Sequence, residues 1–332
     1  MKKISVVIPT YNEEDNAESI CRATISIIEK NLPGYDYEII FIDNDSTDST
    51  RAIIARLCGE NKKVKAIFNA KNFGYLRSPY YGLTQATGDC AVLMAADFQE
   101  PPDMIPKFVE KWEEGFKVVC AVKTASKENP IMYFLRSCYY KLIHSMSSVD
   151  QIEHYTGFGL YDASFVKVLR DLGDPMPYMR GIVAELGFRR CEVEFTQPKR
   201  KSGKSSSNFF KLYDVAMLGF TSYTKGGLRV ATFGGFIIAG LSFLIGIGYL
   251  IAKLFHWNDF TAGMAPVVIA VFLIGGIQLA FLGFLGEYVM SINTRIMNRP
   301  LVVEEKRLNF DNRSAADSEP EKTEKSVTDP SK

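Results

Sequence analysis

Three polar segments near the start of the chain combine residue types that bind phosphate and metal. They are Pro9-Thr10-Tyr11-Asn12-Glu13-Glu14, Asp43-Asn44-Asp45-Ser46-Thr47-Asp48 and Ala95-Ala96-Asp97-Phe98-Gln99-Glu100-Pro101-Pro102, and each comes after an apolar run. In the third, the prolines enforce a turn beside Asp97. A carboxylate so placed can hold a divalent metal whose other ligands are diphosphate oxygens and water, the arrangement magnesium prefers. A plainer role is open to all three segments. Asn, Asp, Ser and Thr satisfy the free amides at a helix start, and Asp97 can serve in that way too.

The elements that must position these residues are legible from hydrophobic period. Ile4 to Pro9, Glu38 to Asp43, Lys65 to Asn69, Cys90 to Ala95 and Val118 to Val122 read as buried strands. Helical patterns lie between them, over Glu14 to Asn31, Ser49 to Glu60, Ser78 to Ala86 and Met104 to Glu114. This alternation predicts an α/β domain with a mostly parallel sheet. Ligands bind such sheets at the carboxyl ends of the strands, where the three polar segments fall. A chain of 332 residues has room for one sizeable domain of this kind ahead of its apolar C-terminal stretches. A formal net charge of +1 argues against nucleic acid as a partner. The six cysteines, Cys21, Cys58, Cys90, Cys120, Cys138 and Cys191, form no close pairs, so neither a zinc site nor a disulfide framework is indicated. They fit a reducing cytoplasm. The apolar run Ile4 to Ile8 is too short for a signal-peptide core.

Two uncharged stretches, Val230 to Ala252 and Phe260 to Gly286, each approach the ~20 apolar residues that cross a bilayer as a helix. The short link Lys253 to Asp259 makes them a hairpin. Lys225, Arg229, Arg295, Arg299, Lys306 and Arg307 flank the pair, against Lys253 alone in the turn. The positive-inside bias therefore puts the bulk of the chain and both termini in the cytoplasm, as a multi-pass protein of the inner (plasma) membrane. Buried helices of a soluble core are the alternative. Asn208 to Arg229 mixes aromatic and basic residues and suits helices lying in the interface, or a helix packed on the domain. Tyr133, Phe134, Tyr139, Tyr140 and Leu142 around Arg136 suit either a lipid guide or core. The expected division is a catalytic domain over 1–207, interfacial helices over 208–229 and a hairpin over 230–290, with spans about 230–252 and 262–286. A cytoplasmic extension over 291–310 and a polar, disordered tail over 311–332 complete the chain.

The ordered motifs Ser5-Val6-Val7-Ile8-Pro9-Thr10-Tyr11-Asn12-Glu13, Ile42-Asp43-Asn44-Asp45-Ser46-Thr47-Asp48, Lys71-Asn72-Phe73-Gly74 and Asp97-Phe98-Gln99-Glu100-Pro101-Pro102 resemble family 2 glycosyltransferases with the GT-A fold. Arg180-Gly181, Leu186-Gly187-Phe188 and Arg200-Lys201-Ser202-Gly203-Lys204-Ser205, ahead of a membrane hairpin, resemble its polyprenyl-phosphate branch. That branch includes bactoprenol glucosyltransferases and dolichyl-phosphate mannose synthase. The resemblance implies an inverting transfer of a hexose from a nucleotide sugar, with UDP-glucose the first donor to test, to undecaprenyl phosphate. It implies that Pro9, Tyr11, Asn12 and Glu13 line the nucleotide pocket, that Asp43 contacts base or ribose, and that Lys71 is either a donor contact or surface. Asp97, with Gln99 beside it, would hold Mg2+ or Mn2+. Lys123 and Arg136 stand where the family uses cations for the acceptor phosphate, or are solvated surface charges. Arg200 belongs to the loop that closes on the donor, and a homo-oligomer, a tetramer among the options, is implied as well.

Two departures stand out. The family's Asp-x-Asp is Ala95-Ala96-Asp97 here, so metal affinity is weakened unless Glu100 helps. Where many relatives carry an Asp-Phe-Arg-Leu segment with a proposed base, this chain reads Gly157-Phe158-Gly159-Leu160. A phosphate monoester softens the second loss, because its second pKa of about 6 leaves it ionised near neutrality. Two other readings stay open. A processive polysaccharide synthase would carry a Gln-x-x-Arg-Trp motif, yet neither Trp112 nor Trp257 comes directly after an Arg. A catalytically impaired protein that binds nucleotide sugar at the membrane is motivated by Ala95 and Gly157.

Overall fold

The computed structural model describes residues 1–124, 152, 155–198, 214, 217–222, 226–255, 264–297 and 299–310. In chain order the strands and helices are β1 (Lys2–Thr10), α1 (Ala17–Asn31), β2 (Tyr35–Asp43), α2 (Thr50–Glu60), β3 (Val64–Asn69), α3 (Gly74–Thr84), β4 (Cys90–Leu93), α4 (Ile105–Glu113) and β5 (Val118–Lys123). They continue with β6 (Tyr155–Asp162), α5 (Ala163–Leu172), α6 (Met179–Glu185), β7 (Arg190–Phe195), α7 (Gly226–Phe255), α8 (Met264–Ile296) and β8 (Glu304–Leu308). The eight strands form one sheet in the order β7-β5-β6-β4-β1-β2-β3-β8. Pairings β1–β2, β1–β4, β2–β3 and β5–β7 are parallel, and β6 and β8 run antiparallel to their neighbours. The expected α/β architecture with a mostly parallel sheet is present.

Strand residues alternate between two cores. Ile4, Val6 and Ile8, with Ile39 and Phe41, pack on one face under α1, α2 and α4. Val7, Ile40 and Ile42 pack on the other under α3 and α5. Burial on both faces is why these strands read as continuous apolar runs rather than alternating ones. Each fully buried Ile or Val contributes about 1.5–3 kcal/mol relative to exposure.

Register brings the polar segments together. Thr10 pairs with Asp43 and Val7 with Leu93, so the carboxyl ends of β1, β2 and β4 lie on one edge. Because β6 is antiparallel, it enters the sheet at that same edge with Tyr155, Thr156 and Gly157. The expected strand Cys90 to Ala95 is shorter than predicted. It ends at Leu93, and Met94 adds one more bond to the Val7 carbonyl at 3.0 Å. Asp97 therefore sits in the loop beyond the strand, not at its end. Helix α3 begins a turn earlier than Ser78, with Pro79 inside it.

Helices cover the first uncharged stretch and the second from Met264 onward, with 30 residues in α7 and 33 in α8. Among the described residues, the window Ile274–Ile296 is long and apolar enough to cross a membrane. Phe233, Phe236, Leu244, Ile245, Val271, Leu279 and Leu282 on these helices are exposed. After α8 the chain returns to the sheet, where β8 covers the outer edge of β3. Arg307 there bonds the Tyr81 hydroxyl at 3.0 Å and the Gln85 side chain at 2.8 Å, locking β8 to α3. The aromatic cluster at 133–142, Arg136, Cys138, the 200–205 motif with Arg200, and the tail 311–332 lie outside the described residues, as does most of 208–216.

Candidate active site

The loops after β1 and β2 are laced to each other before any ligand arrives. The Asn12 amide donates to Ser46 Oγ at 2.9 Å, and Asn12 Oδ1 accepts from the Thr47 amide at 2.8 Å. The Glu13 amide donates to Thr50 Oγ1 at 2.8 Å. Capping also occurs here, since Asp48 accepts from the Thr50 amide at the start of α2 at 3.0 Å. Asn44 braces the next loop, accepting from the Phe73 amide at 2.9 Å and donating to the Gly74 carbonyl at 3.2 Å. Four non-glycine residues have positive φ among the described residues, and Asn12, Asp45 and Phe98 are three of them, one in each polar segment. Backbone held in such sparsely populated conformations concentrates at ligand sites.

These loops, β6 and α6 enclose a cavity of about 370 Å³. Pro9, Thr10, Tyr11 and Glu13 line it from β1, Asn44 from β2, Gly74 and Tyr75 from α3, and Asp97 and Glu100 from the loop after β4. Thr156, Gly157, Tyr178 and Arg180 close the far side. Asp97 is 6% exposed, so its carboxylate belongs to the cavity wall rather than to open solvent. It accepts from the Gln99 amide at 3.1 Å. Glu100 accepts from the Ala95 amide at 2.7 Å and from the Thr156 hydroxyl at 2.8 Å. Burial pushes the Glu100 carboxyl above its usual range, and the charge of Asp97 pushes the same way. Lys123, at the end of β5, acts in the opposite direction on Glu100, which puts that cation within electrostatic reach of the cavity.

Not every expected residue arrives at the cavity. Asp43 is fully buried beside it, and its carboxylate is occupied by the protein itself. It accepts from the Ser46 amide at 3.1 Å and the Ser46 hydroxyl, and pairs with Arg51 at 3.3 Å. Burial raises its carboxyl pKa despite those partners. Lys71 is exposed and lies over the Phe73 ring at 5.1 Å, away from the cavity lining. Asn12 and the Gln99 side chain are likewise absent from the lining, whereas Glu100 is in it. Among the described residues no group of three His, Cys, Asp or Glu side chains is arranged to hold a metal. Two carboxylates in one wall still fit a cation that takes its remaining ligands from diphosphate and water.

Arg180 is the cavity's own cation, on the first turn of α6. Its pairing with Gly181 marks a motif, but nothing in the spacing assigns it a role. Gly157 adopts φ +105°, a conformation that side chains rarely share, so an acid at this position would be strained. At Gly159 a Cβ would collide with the Val119 carbonyl oxygen. The Tyr161 hydroxyl donates to the Gly157 carbonyl at 2.6 Å and touches the Tyr155 hydroxyl, which fixes this stretch of wall.

The wall is also tied to the long helices. Tyr178 packs with Leu218 of the helical stretch 217–222, alongside Leu76 and Met176. Arg295 of α8 donates to buried Asp174 at 3.0 Å and to Ser222 at 3.1 Å. Phe220 meets Phe284 of α8 edge-on, with ring centroids 5.9 Å apart.

Comparison with known proteins gives this geometry a context. A SfII prophage-derived bactoprenol glucosyl transferase of Shigella flexneri is 33% identical over 300 residues, covering 90% of this chain and 96% of the relative. The glycosyltransferase YkcC of Bacillus subtilis is 29% identical over 310 residues, covering 93% of this chain and 95% of the relative. Among solved structures, the mannosyltransferase PcManGT of Pyrobaculum calidifontis, in complex with GDP-Man and Mn2+, matches with 16% identity and a TM-score of 0.44, over 90% of this chain and 87% of that one. The family model for Glycosyl transferase family 2 matches residues 5–186. The chain belongs to glycosyl transferase family 2, is similar to bactoprenol glucosyl transferases and is a glycosyltransferase.

Proposed function

We propose that this enzyme transfers a hexose, with UDP-glucose as the first donor to consider, from a nucleotide sugar to a polyprenyl phosphate at the cytoplasmic face of the membrane. The observation that carries this reading is the link between cavity and apolar helices, through Arg295 to Asp174 and through Leu218 to Tyr178. An acceptor phosphate on a lipid at the membrane surface would meet the cavity on that side. The exposed apolar side chains of α7 and α8 support their placement in lipid as a hairpin, because soluble surfaces rarely carry patches of that size. The names of the bactoprenol relatives support the acceptor class.

In this reading the base of the donor lies against Tyr11, with Pro9 and Glu13 framing the same pocket. A divalent cation, Mg2+ or Mn2+, held at Asp97 would neutralise charge that builds on the leaving diphosphate. Arg180 adds a fixed positive charge from the opposite wall, suited to phosphate oxygens. Asp43 acts indirectly, holding the loop after β2 through Ser46, which in turn anchors Asn12. Attack comes from a phosphate oxygen that is ionised before it binds, so the site needs no base at Gly157. The sugar carbon exchanges its bond to the diphosphate oxygen for one to the lipid phosphate, with inversion. Transfer from a panel of radiolabelled UDP- and GDP-sugars to undecaprenyl phosphate, with Asp97→Asn as control, tests the reading. Labelled lipid that disappears in the variant is the expected result; nucleotide-sugar binding with no labelled lipid from any donor would refute it.

A further inference from the structure

The relatives' paired acids are reduced here to Asp97, and the missing charge belongs at Ala95. The loop after β4 turns at Phe98, whose φ of 60° is unusual for an aromatic residue, and this turn brings Glu100 back over the vacant position. One carboxylate oxygen of Glu100 accepts from the Ala95 amide at 2.7 Å, and the other accepts from the Thr156 hydroxyl at 2.8 Å. Glu100 and Asp97 line the same cavity. We propose that Glu100 is the second anionic ligand of the divalent cation, standing in for the carboxylate that Ala95 lacks.

The inference rests on the proposed function, in which the cavity takes a nucleoside diphosphate with a cation. Each Glu100 oxygen spends one lone pair on the protein and retains another. Ligating carboxylates are commonly oriented by such outer hydrogen bonds, and here the two donors come from the loop after β4 and from β6. Two carboxylates in one wall repel each other, and a divalent cation relieves that repulsion. Magnesium and manganese sites on phosphate substrates need only one or two protein carboxylates, so the pair completes the protein's share. A search for Asp-x-Asp sees half of this site because the second acid arrives three residues later, through the turn.

Binding of Mn2+ to the full-length protein in detergent, with UDP present, is the test, read from the paramagnetic resonance of free Mn2+. Glu100→Gln removes the charge while keeping an oxygen for the Ala95 amide, and the Thr156 hydroxyl can accept where it had donated. The expected result is Mn2+ affinity weaker by about tenfold or more, with thermal stability and metal-free UDP binding unchanged. Adding Ala95→Asp to that variant should restore the affinity, which a purely structural role for Glu100 would not allow. Wild-type affinity in Glu100→Gln, or a loss that Ala95→Asp fails to repair, overturns the proposal. Absence of Mn2+ binding in the unsubstituted protein would overturn it too, while lipid labelling measured separately would tell whether the transfer reading survives.

Discussion

The loops after β2 and β4 begin alike and end differently. Both place an aspartate at or beyond the carboxyl end of a buried strand, on the same edge of the sheet. Asp43 is fully buried and engaged by Ser46, Thr10 and Arg51, so its loop is organised inward. Asp97 faces the cavity, because strand β4 stops at Leu93 and the chain turns at Phe98 before Pro101 and Pro102. Asp43 ends its strand while Asp97 lies in the loop four residues beyond Leu93, and the course of that loop decides which acid lines the cavity. In the proposed reading one carboxylate builds the site and the other works in it.

Substitutions should separate these roles, and the largest effect belongs to the cavity side. Asp97→Asn should lower transfer about a thousandfold, about 4 kcal/mol of transition-state stabilisation, with an unchanged melting temperature. A matching loss of folded protein would erase the contrast with Asp43. A third acid extends the comparison to the opposite edge of the sheet. Burial alone would raise Glu38, yet bonds from Lys3, Lys65, Ser5 and the Thr87 amide outweigh it and hold the carboxyl at about 2. Because this pKa is depressed on folding, its stabilisation is present above the unfolded value near 4.5 and is lost as pH falls toward 2. Glu38→Gln should cost on the order of 3 kcal/mol at pH 7. Urea midpoints measured across that acid window should flatten in the variant.

Asp43→Ala comes next, at about 1–3 kcal/mol, because it strands the buried Ser46 amide, while Arg51 keeps Glu305. Chemical denaturation should report the loss, with nucleotide affinity tracking stability. Abolished UDP binding at full stability would instead assign Asp43 a direct contact. The smallest effect tests the tie to the long helices. Arg295 is partly exposed, so Arg295→Ala should cost only ~1 kcal/mol. It should raise the KM for lipid acceptor about fivefold and leave UDP binding alone. An equal effect on both substrates would place the tie in general folding rather than acceptor approach.

The first half of the sheet was readable because its strands are apolar runs and its loops carry concentrated turn chemistry. The later strands were not. Tyr155–Asp162 contains Gly157 and Gly159, which break any strand signal yet are required by the backbone there. Arg190–Phe195 lies at the sheet's end with Glu192 and Glu194 exposed, and Glu304–Leu308 is mostly charged, as edge strands tend to be. At the site, Asp97, Tyr11, Pro9 and Glu13 were legible as residues near or beyond strand ends. Arg180 was not, because it reaches the cavity on a helix placed by tertiary packing, with Ile182 and Val183 in the core beside Tyr155 and Tyr161. Lys71, read as either a donor contact or surface, lies over Phe73 and outside the cavity lining. Glu100 stood in the same loop as Asp97, but only the turn at Phe98 reveals where it points.

In the proposed reading, transfer without a base depends on an acceptor that arrives already ionised. Supplying the enzyme with labelled donor and, side by side, undecaprenyl phosphate and undecaprenol of the same chain length tests that dependence directly. Label on the phosphate alone is the predicted result. Comparable label on the neutral alcohol would contradict it, because that reaction needs a base which the cavity, with Gly157 in its wall, is not expected to supply.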